Sequence, residues 1–413
     1  MLKRIVFALM LIITGATIAQ NGTTSPYSYF GIGELKFKGT AENRMMGGLS
    51  VYSDSIHLNL QNPAGVAKLK LVNYAIGASY KYVNQQTELE SQNATSTTLD
   101  YLAIGIPMGK FGASFGILPF TTVGYRLESD LDGVKSQYTG KGGMNKVFFA
   151  LAYNFTKEFS FGIDANYNFG NVVREIKILE EDLQLGTREN TKSDLLGFSF
   201  NFGAEYRKML NDYIELTASA TYSPATNFTV EHARELSTIL VSSVGAVTVI
   251  DSEEIPLENT EVKFPSQFTI GMGIGSPKQW FIGAQYTNLK ASNFNDPTLN
   301  VSTVDFIDAN KYRVGGFYTP NYNSLSSYWH RITYRAGARY ENNGINVRGE
   351  DINEFGISFG VGLPVGRMFS NINIGFELGS RGTKNNGLVK ENFFNTFISL
   401  SLNDKWFEKR YID

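Results

Sequence analysis

The sequence predicts an all-β fold, a transmembrane antiparallel β-barrel of about fourteen strands with an N-terminal plug in its lumen. Apolar and polar residues alternate along most of the chain, the segments between these stretches alternate between long and short, and one early segment lacks the alternation. Strands of such barrels show apolar side chains to lipid only at every second position. A slightly negative mean hydropathy of −0.16 is therefore compatible with a membrane barrel.

The chain begins with the pattern of a secretory signal peptide. Lys3 and Arg4 precede an apolar run over residues 5–13, and a stretch of mostly small residues ends at Ala19. The run is shorter than the roughly 20 residues that a membrane-spanning helix needs. We therefore expect residues 1–19 to be removed on export and the mature chain to reach the cell outer membrane of a Gram-negative bacterium.

The composition excludes several classes of function. The chain has no cysteine, which excludes disulfides and lipid attachment at a cysteine. Its formal net charge is −2, so nucleic acid is not an expected partner. The 41 Gly, 22 Tyr and 30 Phe indicate a β-rich wall in which small and bulky side chains alternate.

The alternation predicts strands from residue 72 to the C-terminus. Between Phe159 and Gly170 every second residue is apolar, and the residues between them are small or polar. A helix would scatter both sets around its circumference. An arginine at Ile163 is therefore expected to disrupt assembly, and one at Asp164 to be tolerated. The predicted strands are 72–83, 97–108, 111–127, 145–156, 158–178, 190–207, 212–229, 262–275, 279–289, 310–318, 330–341, 353–364, 369–379 and 392–403.

The connections between these strands also alternate. Long polar segments are predicted at residues 84–96, 128–144, 180–190 and 231–261, with tight turns between them. Outer-membrane barrels have long loops outside the cell and short turns in the periplasm. The connection at 319–328 is long for a periplasmic turn, which leaves the strand count open there by one hairpin. The apolar centre of 231–261 predicts a ligand contact, an extra hairpin or a docking face.

Residues 20–71 do not alternate and are rich in Gly, Ser and Asn. About fifty irregular residues cannot face lipid, because their backbone groups would lack hydrogen-bond partners. They lie in water, in the periplasm or inside the barrel. The predicted organisation is a signal peptide at 1–19, a plug segment at 20–71 and a barrel at 72–413.

Several short motifs carry a family resemblance. They are Ser25-Pro26-Tyr27-Ser28-Tyr29-Phe30-Gly31-Ile32-Gly33, Met46-Gly47-Gly48, Asn62-Pro63-Ala64-Gly65, Leu118-Pro119-Phe120 with Val123-Gly124-Tyr125, and Asn403-Asp404-Lys405-Trp406-Phe407. Together they resemble the FadL/TodX-type outer-membrane transporter superfamily, which includes long-chain fatty acid transporters, in its Bacteroidetes branch. The resemblance implies a fourteen-stranded barrel, a luminal hatch that carries the Asn-Pro-Ala turn, and passage of hydrophobic molecules through a kink in the third strand. The implied partners are outer-membrane lipids and a hydrophobic small molecule such as a fatty acid.

Two proline positions are candidates for this function. Pro119 lacks a donor for the strand ladder, so in a closed barrel it predicts a bulge or a gap. Leu118, Pro119 and Phe120 are therefore a candidate lateral gate, with a harmless bulge as the alternative. The Asn62-Pro63 pair predicts either a plain turn or a turn specific to the plug.

Three arginines share the polar face of one predicted strand. Arg331, Arg335 and Arg339 are expected to line the lumen and to pair with acidic groups of the plug, with ligand binding as the alternative.

No enzyme, cofactor or metal site is predicted. His57, His232 and His330 have neither a His-x-x-x-His partner nor a cysteine, so there is no zinc signature. The glycines between Gly271 and Gly275 lie on an alternating strand and open no helix. Two functions remain, passive uptake of hydrophobic small molecules and a non-transporting barrel subunit of a larger outer-membrane secretion or assembly complex.

Overall fold

The computed structural model describes residues 22–181, 183–242, 246–295, 304–366 and 370–406. They form a closed antiparallel barrel of fourteen strands, in which the first barrel strand pairs with the last. The predicted fold class is confirmed. The predicted signal peptide and Phe407 lie outside the described residues.

Strand segments β1 to β20 make up the fold, and some barrel strands consist of two segments. Their bounds are β1 Glu34–Leu35, β2 Val72–Gln86, β3 Ser91–Met108, β4 Phe111–Pro119, β5 Thr121–Leu131, β6 Val134–Asn154, β7 Phe159–Glu180, β8 Leu185–Met209, β9 Glu215–Ser223, β10 Thr226–Val241, β11 Val247–Pro256, β12 Thr260–Phe264, β13 Gln267–Ser276, β14 Trp280–Leu289, β15 Val304–Phe306, β16 Ala309–Tyr318, β17 Thr333–Val347, β18 Glu350–Val365, β19 Ser370–Arg381 and β20 Lys390–Asp404. Three barrel strands are interrupted, and each of them contains two segments, namely β4 and β5, β9 and β10, and β12 and β13.

The helices are short. One α-helix, α1, spans Ala41–Met45, and the 3-10 helices span Pro26–Tyr29, Pro63–Lys68, Ala291–Asn293, Trp329–Arg331 and Asn385–Gly387. None of the helices in the described part of the chain has the length and the apolar composition of a membrane-spanning helix.

The two faces of the wall follow the alternation. Along β7, Phe161 and Ile163 are exposed on the outside, whereas Gly162 and Asp164 are buried on the inside. Apolar side chains exposed on a barrel wall face lipid. However, Asp164 Oδ2 accepts a hydrogen bond from Lys38 Nζ at 2.7 Å, so an arginine at Asp164 would place two cations together. The structure reverses the expectation that this change is tolerated.

Where long loops were predicted, the structure has long hairpins. The residues between β2 and β3 are 87–90, and only residues 132 and 133 separate β5 from β6. The segment 231–261 continues β10 and contains β11, which pairs with the end of β10 beyond β12 and so extends the hairpin between these two barrel strands. Beyond the bilayer a strand needs no apolar face. Hydrogen bonds to the neighbouring strands satisfy its backbone N–H and C=O groups, whichever side chains it carries. Polar hairpins therefore escape a search for alternation.

The connection at residues 319–332 contains a 3-10 helix and no additional hairpin. Strand β17 begins at Thr333, three residues later than predicted, and Ile332 is buried instead of facing lipid. The open question about the strand count is thereby settled at fourteen.

The N-terminal segment, residues 22–71, lies in the lumen. Its backbone passes close to inward-facing glycines of the wall, where a side chain would collide with it, as at Gly162 and Gly337. The core lies between this segment and the wall, and the largest apolar cluster contains Leu58, Leu60, Val66, Ala67, Leu69, Ala75, Tyr101, Ala103, Leu118, Phe148, Ala150 and Ala152.

Candidate functional site

The barrel wall has a gap next to Pro119. The ladder between β3 and β4 ends at the pair Leu102 and Ile117, and the remainder of β3 towards the loop end pairs only with β2 in the described residues. The Phe120 N–H donates to Met144 O of β6 at 2.8 Å. Since neighbouring residues of a strand bond to opposite sides, the missing N–H of Pro119 faces β3. The interruption of this strand therefore follows from the chemistry of proline.

Residues 22–36 fill this gap from the inside. Strand β1 pairs antiparallel with Thr121 and Thr122, which open β5. The Gly124 N–H donates to Ser28 Oγ at 3.1 Å, and a Cβ on Gly22 would lie 2.6 Å from Thr122 Oγ1 and 3.5 Å from a methyl group of Thr98 on β3. The free edge of β5 is thus covered by the N-terminal segment instead of a neighbouring wall strand.

A cavity of about 330 Å³ lies behind the gap, on the loop side of the N-terminal segment. Part of its lining is aromatic. The ring of Phe120 lies 5.1 Å from that of Phe264 and 6.0 Å from that of Phe228, and Lys146 Nζ lies 4.4 Å from the Phe120 ring centroid. The same residue, Phe120, thus belongs both to the strand interruption and to the aromatic wall of the cavity.

The other side of the cavity is charged, and one ion cluster ties the N-terminal segment to the wall. Arg381 Nη1 lies 2.8 Å from Glu34 Oε1 of β1, and Arg381 Nη2 lies 2.6 Å from Glu391 Oε2 of β20. Glu34 also accepts a hydrogen bond from Thr23 Oγ1 at 2.5 Å, and its Oε1 lies 3.8 Å from Lys81 Nζ of β2. Arg381 is 3% exposed, so its charge depends on these carboxylates.

Arg339 is the centre of a second buried cluster. Its Nε donates to Glu377 at 2.7 Å, and its guanidinium also bonds to Glu354. Both carboxylates belong to barrel strands, so the prediction that Arg339 pairs with plug acids is wrong. The N-terminal segment joins the cluster through Arg44, whose Nε lies 3.5 Å from Glu377 Oε2.

The other two predicted arginines have different environments. Arg335 is buried on the inner face, and its Nη1 donates to Asn373 Oδ1 at 3.3 Å, while Asn373 Nδ2 donates to Glu42 of the N-terminal segment at 2.7 Å. Arg331 belongs to the 3-10 helix before β17 and is exposed, with its guanidinium 5.3 Å from the Tyr328 ring centroid. It is therefore not a member of the inward row that the alternation predicted.

The Asn-Pro-Ala turn caps a 3-10 helix against the wall. Asn62 Oδ1 accepts from the Ala64 N–H at 3.1 Å, and Asn62 Nδ2 donates to Ala204 O of β8 at 3.2 Å. A Cβ on the wall residue Gly203 would lie 2.7 Å from Pro63 Cδ. The turn therefore needs the glycine opposite it.

Met46, Gly47 and Gly48 form a second tight contact, opposite β16 to β18. Gly47 has a φ of +68° and Gly48 a φ of +85°, which favour glycine. The Gly47 N–H donates to Ser358 Oγ at 2.9 Å, and the Gly48 carbonyl accepts from Arg313 at 3.1 Å. The structure places both predicted motifs against the wall, at separate positions.

A second cavity, of about 680 Å³, lies on the turn side of the N-terminal segment and is lined in part by Asp54, His57, Arg331 and Arg335. His57 Nδ1 lies 2.6 Å from Asp54 Oδ2. Burial opposes the charged form of both groups, but their attraction and hydrogen bonding outweigh it. The pair therefore lowers the pKa of Asp54 to about 2 and raises the pKa of His57.

Sequence reasoning missed the residues that connect the N-terminal segment to the wall at the gap. Glu34, Arg381 and Glu391 carry no motif, and 347 positions separate the first from the second. The only available signal was the presence of charged residues at inward positions of strands that otherwise carry small side chains there.

The whole chain, residues 1–413, matches a protein family model described as BamG. No curated protein matches the sequence.

Several solved structures share the fold. The CymD monoaromatic hydrocarbon channel has 13% identity and a TM-score of 0.60, with 90% of this chain and 99% of that chain covered. The Pseudomonas putida toluene transporter TodX has 15% identity and a TM-score of 0.56, with the same coverage. A Pseudomonas aeruginosa FadL homologue has 10% identity and a TM-score of 0.57, with 88% and 97% covered. The resemblance in short motifs is thus confirmed for the fold, while the Bacteroidetes branch stays a prediction.

Proposed function

This chain belongs to the BamG family, and we propose that it is an outer-membrane barrel that lets hydrophobic small molecules leave its lumen sideways, through the wall gap at Pro119. The observation that supports this most is the continuity of the gap with an aromatic cavity. Phe120 lies at the interruption of the strand and in the cavity wall at the same time. Among the described residues, those of 22–36 cover the gap between that cavity and the outside of the wall. In this proposal Leu118, Pro119 and Phe120 form the lateral gate.

The N-terminal segment is the plug of this proposal. It occupies the lumen between the two cavities, and it holds the gap closed through β1 and the Glu34 to Arg381 ion pair. The Asn62 turn anchors its middle to β8 and the Gly47 turn anchors it to β18, through contacts that do not involve β1. Passage therefore requires residues 22–36 to move while the remainder of the plug stays in place.

A reversible crosslink tests this movement. Leu35 and Thr121 are direct antiparallel partners, and the natural chain has no cysteine, so Leu35→Cys with Thr121→Cys places the only two thiols across the gap. Directly opposed Cβ atoms lie about 4.5–5.5 Å apart, within reach of a disulfide after small adjustments. We expect the oxidised protein to lose uptake of a hydrophobic fluorescent probe into vesicles and the reduced protein to regain it.

The matched control joins the hairpin partners Gln86 and Ser91 by the same chemistry, at the tip of the β2 and β3 hairpin. It should transport equally in both redox states. Equal uptake by the oxidised and reduced Leu35 to Thr121 variant would exclude the gap as the route.

The second candidate function is that of a non-transporting subunit in a larger outer-membrane complex. It is favoured by the hairpin of β10 and β11, which projects beyond the barrel with apolar side chains exposed, among them Leu240 and Ile250. Purification in mild detergent separates the two functions. A monomer with bound lipid supports transport, whereas protein partners in fixed stoichiometry support the subunit.

A further inference from the structure

Strand β11 is the free edge of the sheet that projects from the loop end of the barrel. It pairs with β10 and with no other strand of the described residues. All of its residues except Ile255 are exposed. Edge strands present unpaired backbone groups to which another extended chain can add. We propose that β11 is a docking strand for an extended, basic segment of a surface protein, which joins the sheet as a further strand. The proposal rests on the second candidate function and names the surface and the kind of partner.

The backbone of β11 leaves donors at this edge. The Ser252 N–H donates to the side chain of its neighbour Asp251 at 2.9 Å, which places it outside the ladder with β10. N–H groups two residues apart in a strand point the same way, so the N–H of Glu254 shares this direction. An incoming strand can accept from the Glu254 N–H, and from the Ser252 N–H once it displaces the Asp251 carboxylate. A proline at Glu254 would remove one of these donors and leave the ladder with β10 intact.

The apolar part of the surface lies beside this edge. Leu240 of β10 is directly opposite Leu185 of β8, and both are exposed. Leu240 lies on the same face of β10 as Phe228, which is buried inside the barrel. The row of Leu185 and Leu240 therefore faces the space above the barrel opening. An added strand would extend the row with apolar side chains of its own. Burial of apolar area gives such strand addition its affinity beyond the backbone hydrogen bonds.

The charges on this hairpin determine the chemistry of the partner. Residues 231–261 contain seven carboxylates against the single Arg234, namely Glu231, Glu235, Asp251, Glu253, Glu254, Glu258 and Glu261. The three acids of β11 form no ion pair with any described residue. Opposite charges on directly paired strands stabilise the pairing, and like charges destabilise it. The edge therefore favours an incoming strand with Lys or Arg at alternate positions.

The same charges argue against other occupants. Two copies of β11 paired edge to edge would bring acids close to acids, and the register shift between Thr238 and Ile239 bends the hairpin away from a flat pairing. Anionic lipid headgroups are repelled for the same reason. A basic protein segment meets neither obstacle.

Binding of a synthetic peptide to the detergent-solubilised full chain tests the proposal. The probe is a ten-residue peptide in which Lys alternates with Val, and its control has Glu in place of Lys. We expect the Lys peptide alone to bind, and Glu254→Pro to weaken its binding about tenfold, whereas Glu254→Val retains most of it because the N–H remains. Glu253→Lys should also weaken binding about tenfold, while Glu90→Lys, at the exposed tip of the β2 and β3 hairpin, should have no effect.

Equal binding of the two peptides, or equal affinity of the Pro and Val variants, would overturn the proposal. The native complex in mild detergent distinguishes its failure from that of the subunit function. A stoichiometric complex that survives Glu254→Pro excludes the edge but keeps the subunit function, whereas a lone monomer removes both. Loss of the complex in Glu254→Pro, but not in Glu254→Val, supports the docking strand.

Discussion

Replacing Glu34 with alanine isolates the ion pair that holds the plug at the wall gap. The carboxylate bonds to Arg381 at 2.8 Å and to Thr23 at 2.5 Å, and its side chain is 19% exposed. Arg381 keeps Glu391 as a partner in the variant, so no buried charge is left alone. The loss is then at least that of the charge-assisted hydrogen bond to Arg381, about 2 kcal/mol, instead of the larger cost of an orphaned ion.

A loss of about 2 kcal/mol corresponds to a factor of roughly 30 in the equilibrium between closed and open forms of residues 22–36. Hydrogen exchange reports this equilibrium for backbone amides that exchange only when a segment opens. We expect peptides from residues 22–36 of Glu34→Ala to exchange roughly 30 times faster, while peptides from the Asn62 turn are unchanged.

The matched control is Glu128→Ala. Glu128 also forms a close ion pair, with Arg126 at 2.9 Å, but both side chains are more than 60% exposed. Exposed pairs contribute little, about 0–1 kcal/mol. Equal hydrogen exchange of residues 22–36 in Glu34→Ala and in the natural protein would refute the conclusion that the Glu34 to Arg381 pair holds this segment at the gap. That holds even if Glu128→Ala behaves as expected.

Other predictions concern the wall and the turn end. Gly337→Val should displace the plug backbone and lower stability by about 1–3 kcal/mol, measured as a lower unfolding midpoint in urea, whereas Ala338→Val on the lipid face should be near neutral. Ile163→Arg should cost about 2–4 kcal/mol if it lies at mid-membrane, and normal heat-modifiable migration on gels would contradict the face assignment. The raised pKa of His57 adds folding stability that is fully present below its ordinary pKa near 6.5 and is lost as pH rises through the pKa of the folded state. The lowered pKa of Asp54, about 2, adds folding stability that is lost only below about pH 4. Protease resistance of the plug should therefore fall as pH rises above about 6.5, and Asp54→Asn should flatten this profile.

Two parts of the structure could not be read from the sequence for opposite reasons. The hairpins beyond the bilayer have no pattern because their side chains need none, so their polar residues looked like loops. The second part is the set of side chains that meet in the lumen. Asp164 looked replaceable because it stands among small residues on an inward face, but Lys38 of the plug reaches it over 126 positions of chain.

The sequence by itself determined the architecture of the wall. Alternation is a local property with a period of two residues, so the lipid face and the lumen face of each strand can be assigned from the sequence of that strand alone. Proline acts just as locally, which is why Pro119 already indicated a break in its strand. Only the tertiary structure decided what lies behind the break, because the contacts of Glu34 with Arg381, and of β1 with β5, join segments that are distant in the chain and carry no mutual pattern. They exist because closure of the barrel brings those strands around one lumen.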